Sequence, residues 1–279
     1  MGVRVSRMLQ HLAHALDEKK ATIILCELLG VLSIEGNLCK RRGISEMERL
    51  SCAGCRSPCL LAELPPQEMR ALEGSLRSVA FAPHQTIFEQ GDPHVGCYLI
   101  CEGFGALLNR TASGRRLVIG VVGPGDLLGV GGFLGQARHE LSAQALSEIR
   151  AQYLARAVCE RLVREPSLVT GRLLVAMARQ IKSLRRHAQL VAARAGVRER
   201  LAAMLVELGR QCGSELPSGA RRIELPLSCE LLGQMLDSHR STVNLELLEL
   251  ERRGLIERAS RRIVILNESR LRELAQSLF

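Results

Sequence analysis

The chain changes its hydrophobic rhythm twice. Residues 4–33 carry apolar positions at helix-compatible spacing, with Gly30 and Gly36 as breakers. "LPPQEMRALEGSL" (64–76) predicts a helix started by Pro65 and Pro66, with Glu68 in its first turn. From Ser78 the texture shifts to short β-type runs: "SVAFA", "QTIFEQ", "CYLICEG", "GALLNR", "RLVIGVV" and "AQYLA". Turn clusters at "GDPHVG", "TASGRR", "GPGD" and "GGFLGQ" separate them, which predicts a compact antiparallel barrel or roll over 78–156. After Pro166 the pattern turns helical for a long stretch. There Leu173, Leu174, Met177, Ile181, Leu184 and Ala188 fall near i, i+3, i+4 and i+7, opposite an Arg-rich face. Such a stripe is either core against the barrel or a helix seam between subunits.

The rhythm shortens again in "LSCELLGQMLDSHRSTVNLELLELERRGLIERASRRIVILN" (227–267). Ser228 suits the N-cap of a first helix, Asp237–Ser238 a short turn, and "HRSTVNLELLELERRG" a second helix ending at Gly254. Two short strands around a polar turn follow, as a wing. Helix–turn–helix plus wing puts the start of the second helix in the major groove of DNA. A helical hairpin followed by a packing β-hairpin accounts for the same pattern, but leaves the polar "HRST" unexplained.

At 279 residues, 47% hydrophobic and 24% charged, the chain has room for two modest globular domains. Aromatic content of 3% with no Trp makes the cores aliphatic and argues against a base-stacking platform for single strands. The net charge of +9 is unevenly placed, with 21 basic against 13 acidic residues in 161–279. That half suits a polyanion partner. The start, "MGVRVSRMLQHLAHALDEKK", has charges where a signal peptide needs an apolar run, and "ATIILCELLGVL" is too short for a bilayer and contains Glu27. A cytoplasmic protein without a membrane partner is expected, and no nucleophile–base pair or carboxylate dyad points to an enzyme.

"SCAGCRSPCL" (51–60) concentrates Cys52, Cys55 and Cys59. In a reducing compartment such thiols point to metal or redox chemistry before disulfides. Thiolates at C-x₂-C-x₃-C spacing in a loop with Gly54 and Pro58 can gather three soft ligands around an iron–sulfur cube or a zinc ion. None of the histidines at 11, 14, 84, 94, 139, 187 and 239 has a partner at a spacing diagnostic of haem.

"LGQMLDSHRSTVNLELLELERRGLI" resembles the helix–turn–helix of the cyclic-AMP receptor protein and fumarate-nitrate regulator (CRP/FNR) family. "GVRERLAAMLVELGRQ", "YLICEG" and "GPGDLLG" fall in the family's order, so the likeness spans about 64–279. It implies an α+β chain in four parts: an N-terminal helical and cysteine-rich sensor segment (1–63), an antiparallel β-roll (64–160), a dimerisation helix (161–195) and a winged helix–turn–helix (196–279). It also implies a homodimer on a palindromic operator in double-stranded DNA, with RNA polymerase as a partner.

The resemblance assigns Arg240 and Ser241 to base contacts, Thr242 and His239 to phosphate or cap roles, and Asn244 to a base edge. The family often has Glu where Ser241 stands and Arg where Leu245 stands, so the operator should differ from the common half-site. The seam between subunits would run through Leu173, Leu174, Met177, Ile181 and Leu184.

Cyclic-nucleotide members hold ribose and phosphate through an acidic residue after a Gly and a later Arg–Ser pair. Gly125–Asp126 and Ser142 are present here, but Leu141 replaces that Arg and Arg138 is displaced by three residues, which argues against a cyclic nucleotide. "SAQAL" instead is similar to the oxygen-sensing branch, whose cysteines carry a [4Fe–4S] cluster. That branch has a wider third spacing and a later barrel Cys, where Gln152 stands here. Cys39, Cys97 and Cys101 are the candidate fourth ligands, Cys39 first because it shares the segment of Cys52, Cys55 and Cys59. Cys97 and Cys101, like Cys26, Cys159, Cys212 and Cys229, read as buried structural thiols. The expectation is a regulator sensing oxygen, NO or redox state through an iron–sulfur cluster. A zinc or thiol site, an effector in the β-roll, and a metal- or thiol-binding protein with no DNA role are the alternatives.

Overall fold

In the computed structural model, the short β-type runs pair into two antiparallel sheets. The structure describes Leu61 and residues 64–276, apart from 112–113, 132–134, 136, 166 and 260, so the helical reading of 4–33 lies outside the described residues. One sheet has the order β1 (Leu76–Phe81), β8 (Ile149–Ala155), β3 (Gly96–Glu102) and β6 (Leu127–Leu128). The other has β2 (Thr86–Phe88), β7 (Ser142–Ala145), β4 (Gly105–Arg110) and β5 (Arg116–Val122). The expected β-roll is present. Its strands β6 and β7 are additions to the pattern: one has two residues, the other only Ser, Ala and Gln.

Strand β3 shows why "CYLIC" is apolar at successive positions. Tyr98 and Ile100 join the core between the sheets with Leu107, Val122, Leu128 and Ile149. Cys97 and Leu99 face the other way, into a cluster with Leu154, Cys159 and Leu173 beneath the helices. A strand covered on both faces shows no polar alternation. At the end of β3, Gly103 has φ +84°, and a Cβ there would sit 1.9 Å from the carbonyl oxygen of Glu148. Only glycine fits.

Three helices flank the roll: α1 (Pro66–Glu73), α2 (Arg156–Arg164) and α3 (Leu168–Ala192). Pro66 begins α1 as expected. Ser167 caps α3, its Oγ accepting from the Thr170 N–H at 3.2 Å. The Glu68 carboxylate of α1 accepts from the N–H groups of Leu168 (3.3 Å) and Val169 (3.1 Å). It thus sets a negative charge on the positive end of the α3 dipole. Leu61 and Leu72 are buried beside Val169 and Leu173. The chain leading into the roll is therefore fastened to the start of α3.

This packing divides the apolar stripe of α3. Leu173 is 2% exposed and belongs to the roll's core, which corrects its assignment to a subunit seam. Met177 and Leu184 are half-buried against the roll, whereas Leu174 (40%) and Ile181 (63%) project outward. The helix curves its stripe across two environments because its partner, the roll, covers only one side.

The C-terminal half comprises α4 (Val197–Cys212), β9 (Gly213–Glu215), β10 (Arg221–Ile223), α5 (Cys229–Leu236), α6 (Arg240–Arg252), β11 (Ile256–Ala259), β12 (Arg262–Ile265) and α7 (Glu268–Leu274). Every residue of α4 from Leu201 to Gly209 is buried, because α3, α6, α7 and β10 all pack on it. The expected two-stranded wing is part of a four-stranded sheet, β11-β12-β10-β9, with Ile223 opposite Ile263. Among the described residues no helix is long and apolar enough to cross a membrane.

Two histidines are buried against each other inside the roll. The rings of His94 and His139 lie 3.7 Å apart between centroids, and His139 stacks on Phe88 at 3.8 Å. Burial, then the neighbouring His94, pushes the His139 pKa down to about 4, with Asp92 opposing. His94 is lowered by burial and by Arg156, against Glu140. Both imidazoles are therefore neutral when folded and protonate more readily when unfolded. Between about pH 6.5 and 4 the unfolded chain binds more protons, so stability falls as the pH is lowered through that window. Urea unfolding midpoints should drop from pH 7 to pH 5, and the slope should shrink in His139→Gln.

Candidate nucleic-acid interface

The two helices α5 and α6 are joined by a turn that the sequence specifies closely. Ser228 caps α5, accepting from the Leu231 N–H at 3.0 Å. Asp237 adopts the left-handed conformation (φ 48°, ψ 51°) expected of it, and the Ser238 N–H returns to the Gly233 carbonyl at 2.9 Å. A Cβ on Gly233 would lie 2.8 Å from the Ser238 carbonyl oxygen, so glycine permits the close approach of α6 to α5. Arg200 donates to the last carbonyl of α5, that of Leu236, at 2.9 Å.

Helix α6 is held by one face and presents the other. Val243, Leu247 and Leu250 are buried in the C-terminal core. At about 100° per residue, Ser241, Asn244, Leu245 and Leu248 share the opposite, exposed face. Arg240 and His239 are exposed at its start, and Thr242 is half-buried at its flank. His239 occupies the N-cap position without a side-chain cap bond, which corrects the cap role considered for it. The first turn of α6 thus keeps unfilled N–H donors and a partial positive charge.

Neighbouring side chains limit what this face can do. The Asn244 Oδ1 accepts from Arg258 of β11 at 3.3 Å, and Arg258 is itself paired with Glu251 at 2.9 Å. Asn244 therefore has its amide N–H groups free to donate while its carbonyl is engaged. Glu246 is paired with Arg198 of α4 at 2.6 Å, which offsets its charge beside the helix start. The grip of Arg258 and the exposure of Leu248 were not read from the sequence. Leu248 could have been found from its phase, off the line through Val243, Leu247 and Leu250.

The β4–β5 hairpin approaches the same region. Arg115 pairs with Asp237 of the turn, both partly exposed, an arrangement typically worth under about 1 kcal/mol. A cleft of about 460 Å³ lies between them, lined by Arg115, Arg116, Gln234, His239 and Arg240 among others. Apart from Glu230 its charged lining is basic, which suits an anion.

The residues considered for other ligands are spread differently. Asp126 is half-buried, desolvation raises its pKa, and its Oδ2 accepts from the Gly123 N–H at 2.9 Å. Ser142 donates to Glu89 at 3.0 Å and accepts from the Gln90 N–H at 3.0 Å. Both side chains that a cyclic nucleotide would use are engaged by the fold. Gln152, 7% exposed, donates to the Ser78 hydroxyl at 3.0 Å. Cys97 and Cys159 are buried with their sulfurs 3.6 Å apart, Cys212 is buried, and Cys101 is half-buried. Cys39, Cys52, Cys55 and Cys59 lie outside the described residues; among the described ones, no three His, Cys, Asp or Glu side chains group as a metal site.

Comparison with known proteins matches both halves. Residues 199–274 match the Crp-like helix-turn-helix domain, and residues 78–165 match the cyclic nucleotide-binding domain. The CRP-like cAMP-activated global transcriptional regulator of Mycobacterium tuberculosis is 26% identical over 212 residues, 76% of this chain and 93% of that protein. The nitrogen fixation regulation protein FixK of Bradyrhizobium diazoefficiens is 28% identical over 226 residues, 80% of this chain and 93% of its own length. A CRP-family transcriptional regulator of known structure from Thermus thermophilus superposes with a TM-score of 0.61 at 25% identity, covering 71% of this chain and 96% of that one.

Proposed function

Because this chain belongs to the CRP/FNR family of DNA-binding transcription regulators, we propose that it grips a palindromic operator as a homodimer through the start of α6. Arg240 and Ser241 face base edges, Asn244 donates to an acceptor on a base, and His239 and Thr242 meet phosphates. The observation that carries this reading is the exposure of Arg240, Ser241 and Asn244 on a helix whose far side is locked in the core. The basic cleft beside it supports the same polarity of partner. The division into 1–63, 64–160, 161–195 and 196–279 gives the sensor segment, the β-roll, the dimerisation helix and the DNA-binding domain. The protein works in the cytoplasm with RNA polymerase as its partner at promoters.

The subunit seam follows the outward side of α3, through Leu174 and Ile181, with Met177 and Leu184 at its edge. A C₂ pair sets two copies of α6 one helical turn apart on the duplex.

The signal enters through Cys52, Cys55 and Cys59 with Cys39 as fourth ligand, holding a [4Fe–4S] cluster as in the oxygen-sensing branch. Three thiolates within eight residues suit the soft iron of such a cluster. Cys97 does not suit the fourth position, being fully buried against Cys159. When bound, the cluster supplies an inorganic centre that oxygen or NO dismantles. What supports its coupling to dimerisation is Leu61, two residues beyond Cys59, buried with Leu72, Val169 and Leu173 at the head of α3. Glu68 adds two hydrogen bonds to the same helix end. Holding or releasing the cysteine loop changes the dimer equilibrium by the contacts that loop makes with each state.

Three experiments test these parts. Arg240→Ala should cost roughly 1–3 kcal/mol in specific binding and relax preference at one base pair; equal loss on operator and random duplex would reduce Arg240 to a phosphate contact. Ile181→Glu should give monomers that bind DNA weakly, whereas a dimer persisting at micromolar concentration moves the seam elsewhere. Protein purified without air should show broad visible absorbance, bleached by air and absent in Cys55→Ser. Stoichiometric zinc without iron would establish a structural site in its place.

A further inference from the structure

Leu245 and Leu248 are 65% and 45% exposed, on the same face of α6 as Ser241 and Asn244. A helix that has already buried Val243, Leu247 and Leu250 gains nothing for its own core by turning two leucines outward. Large apolar side chains side by side on an otherwise polar face mark a contact surface. We infer that Leu245 reads the 5-methyl group of a thymine in the major groove, with Leu248 closing the apolar contact from the next turn. The inference rests on α6 being the DNA-reading helix and specifies one base that it reads.

The occupant follows from groove chemistry. On base edges in the major groove the thymine methyl is the one apolar substituent; apart from ring C–H groups, the other features are donors or acceptors. A leucine can pair with none of those, and would leave a guanine or adenine edge unsatisfied. Leu245 is in the second turn of α6, within the N-terminal part that meets bases in this docking geometry. Its polar neighbours also favour the methyl. Asn244 is uncharged, and Glu246 is drawn toward Arg198, so its carboxylate does not crowd the position. Arg240 and Ser241, one turn earlier, keep the hydrogen-bonding contacts.

The test uses the full chain and a duplex that it selects from a random-sequence pool. Each thymine is then replaced by deoxyuridine, which removes one methyl and leaves all base-pair hydrogen bonds. At one position per half-site, the wild-type protein should bind about fourfold more weakly, about fifteenfold when both half-sites are changed. Leu245→Ala should bind the thymine and uracil duplexes equally at that position. The side chain is exposed and alanine is the better helix former, so this variant folds. Insensitivity of the wild type at every thymine, or the same loss in Leu245→Ala, overturns the inference while leaving DNA reading intact. Failure to enrich any duplex overturns both. Conversion of a larger assembly to dimers by Leu245→Ala, without thymine sensitivity, would assign the leucines to a second copy of the chain instead.

Discussion

The arrangement depends on a single rod, the helix Leu168–Ala192, which at 1.5 Å per residue is about 38 Å long. Its first turns are buried against the β-roll through Val169, Leu173 and Ala176, and its end against the C-terminal core through Leu190. A rod pinned at both ends transmits a displacement along its length, since an α-helix bends far less readily than a loop. Glu68 and Leu61 are fastened to one end of it, and α4 and α5 pack near the other.

The far end is secured by charge as well as by packing. Glu207 of α4 is nearly buried, and burial alone would raise its pKa, but Arg210, Gln211 and Arg186 hold it below the usual carboxylate range. Arg186 comes from α3 at 3.2 Å, so this network ties the rod to the helix beneath the DNA-reading pair. A buried carboxylate with several charged donors costs little only while all of them are present. Nearby, His187 lies buried beside backbone groups of Val118 in the roll and Met235 in α5. One apolar cluster contains Ala106, Leu108, Val118 and Val121 of the roll together with Leu231, Leu232 and Met235 of α5. The DNA-reading helices are therefore docked on the roll, and Arg115 meets their turn at Asp237.

The β-roll and the helix–turn–helix of the family are both present here. Gln152 sits on β8 and Ser241 and Leu245 on α6, elements that the packing of the roll and of the C-terminal core holds in place. Asp126 and Ser142, by contrast, are bound into the roll itself by hydrogen bonds to Gly123, Glu89 and Gln90. Side chains that the fold does not engage can change what they contact without changing the fold.

The sequence by itself determined the order of elements. Periodicity of two against 3.6, Pro66 at a helix start, Ser228 at a cap, Asp237 in a left-handed turn and Gly254 at a helix end are local constraints, and local constraints are written in neighbouring residues. Tertiary structure alone decided what each apolar stripe faces. Leu173 and Ile181 look equivalent in the pattern, but one meets the roll and the other meets solvent. Strands β6, β7 and β10 carry little propensity of their own and exist because partners from distant segments supply their hydrogen bonds. The hold of Arg258 on Asn244 and of Arg198 on Glu246 links residues 14 and 48 positions apart, separations at which no sequence rhythm carries information. Helix periodicity names the residues of a face; only packing chooses which face is left for a partner.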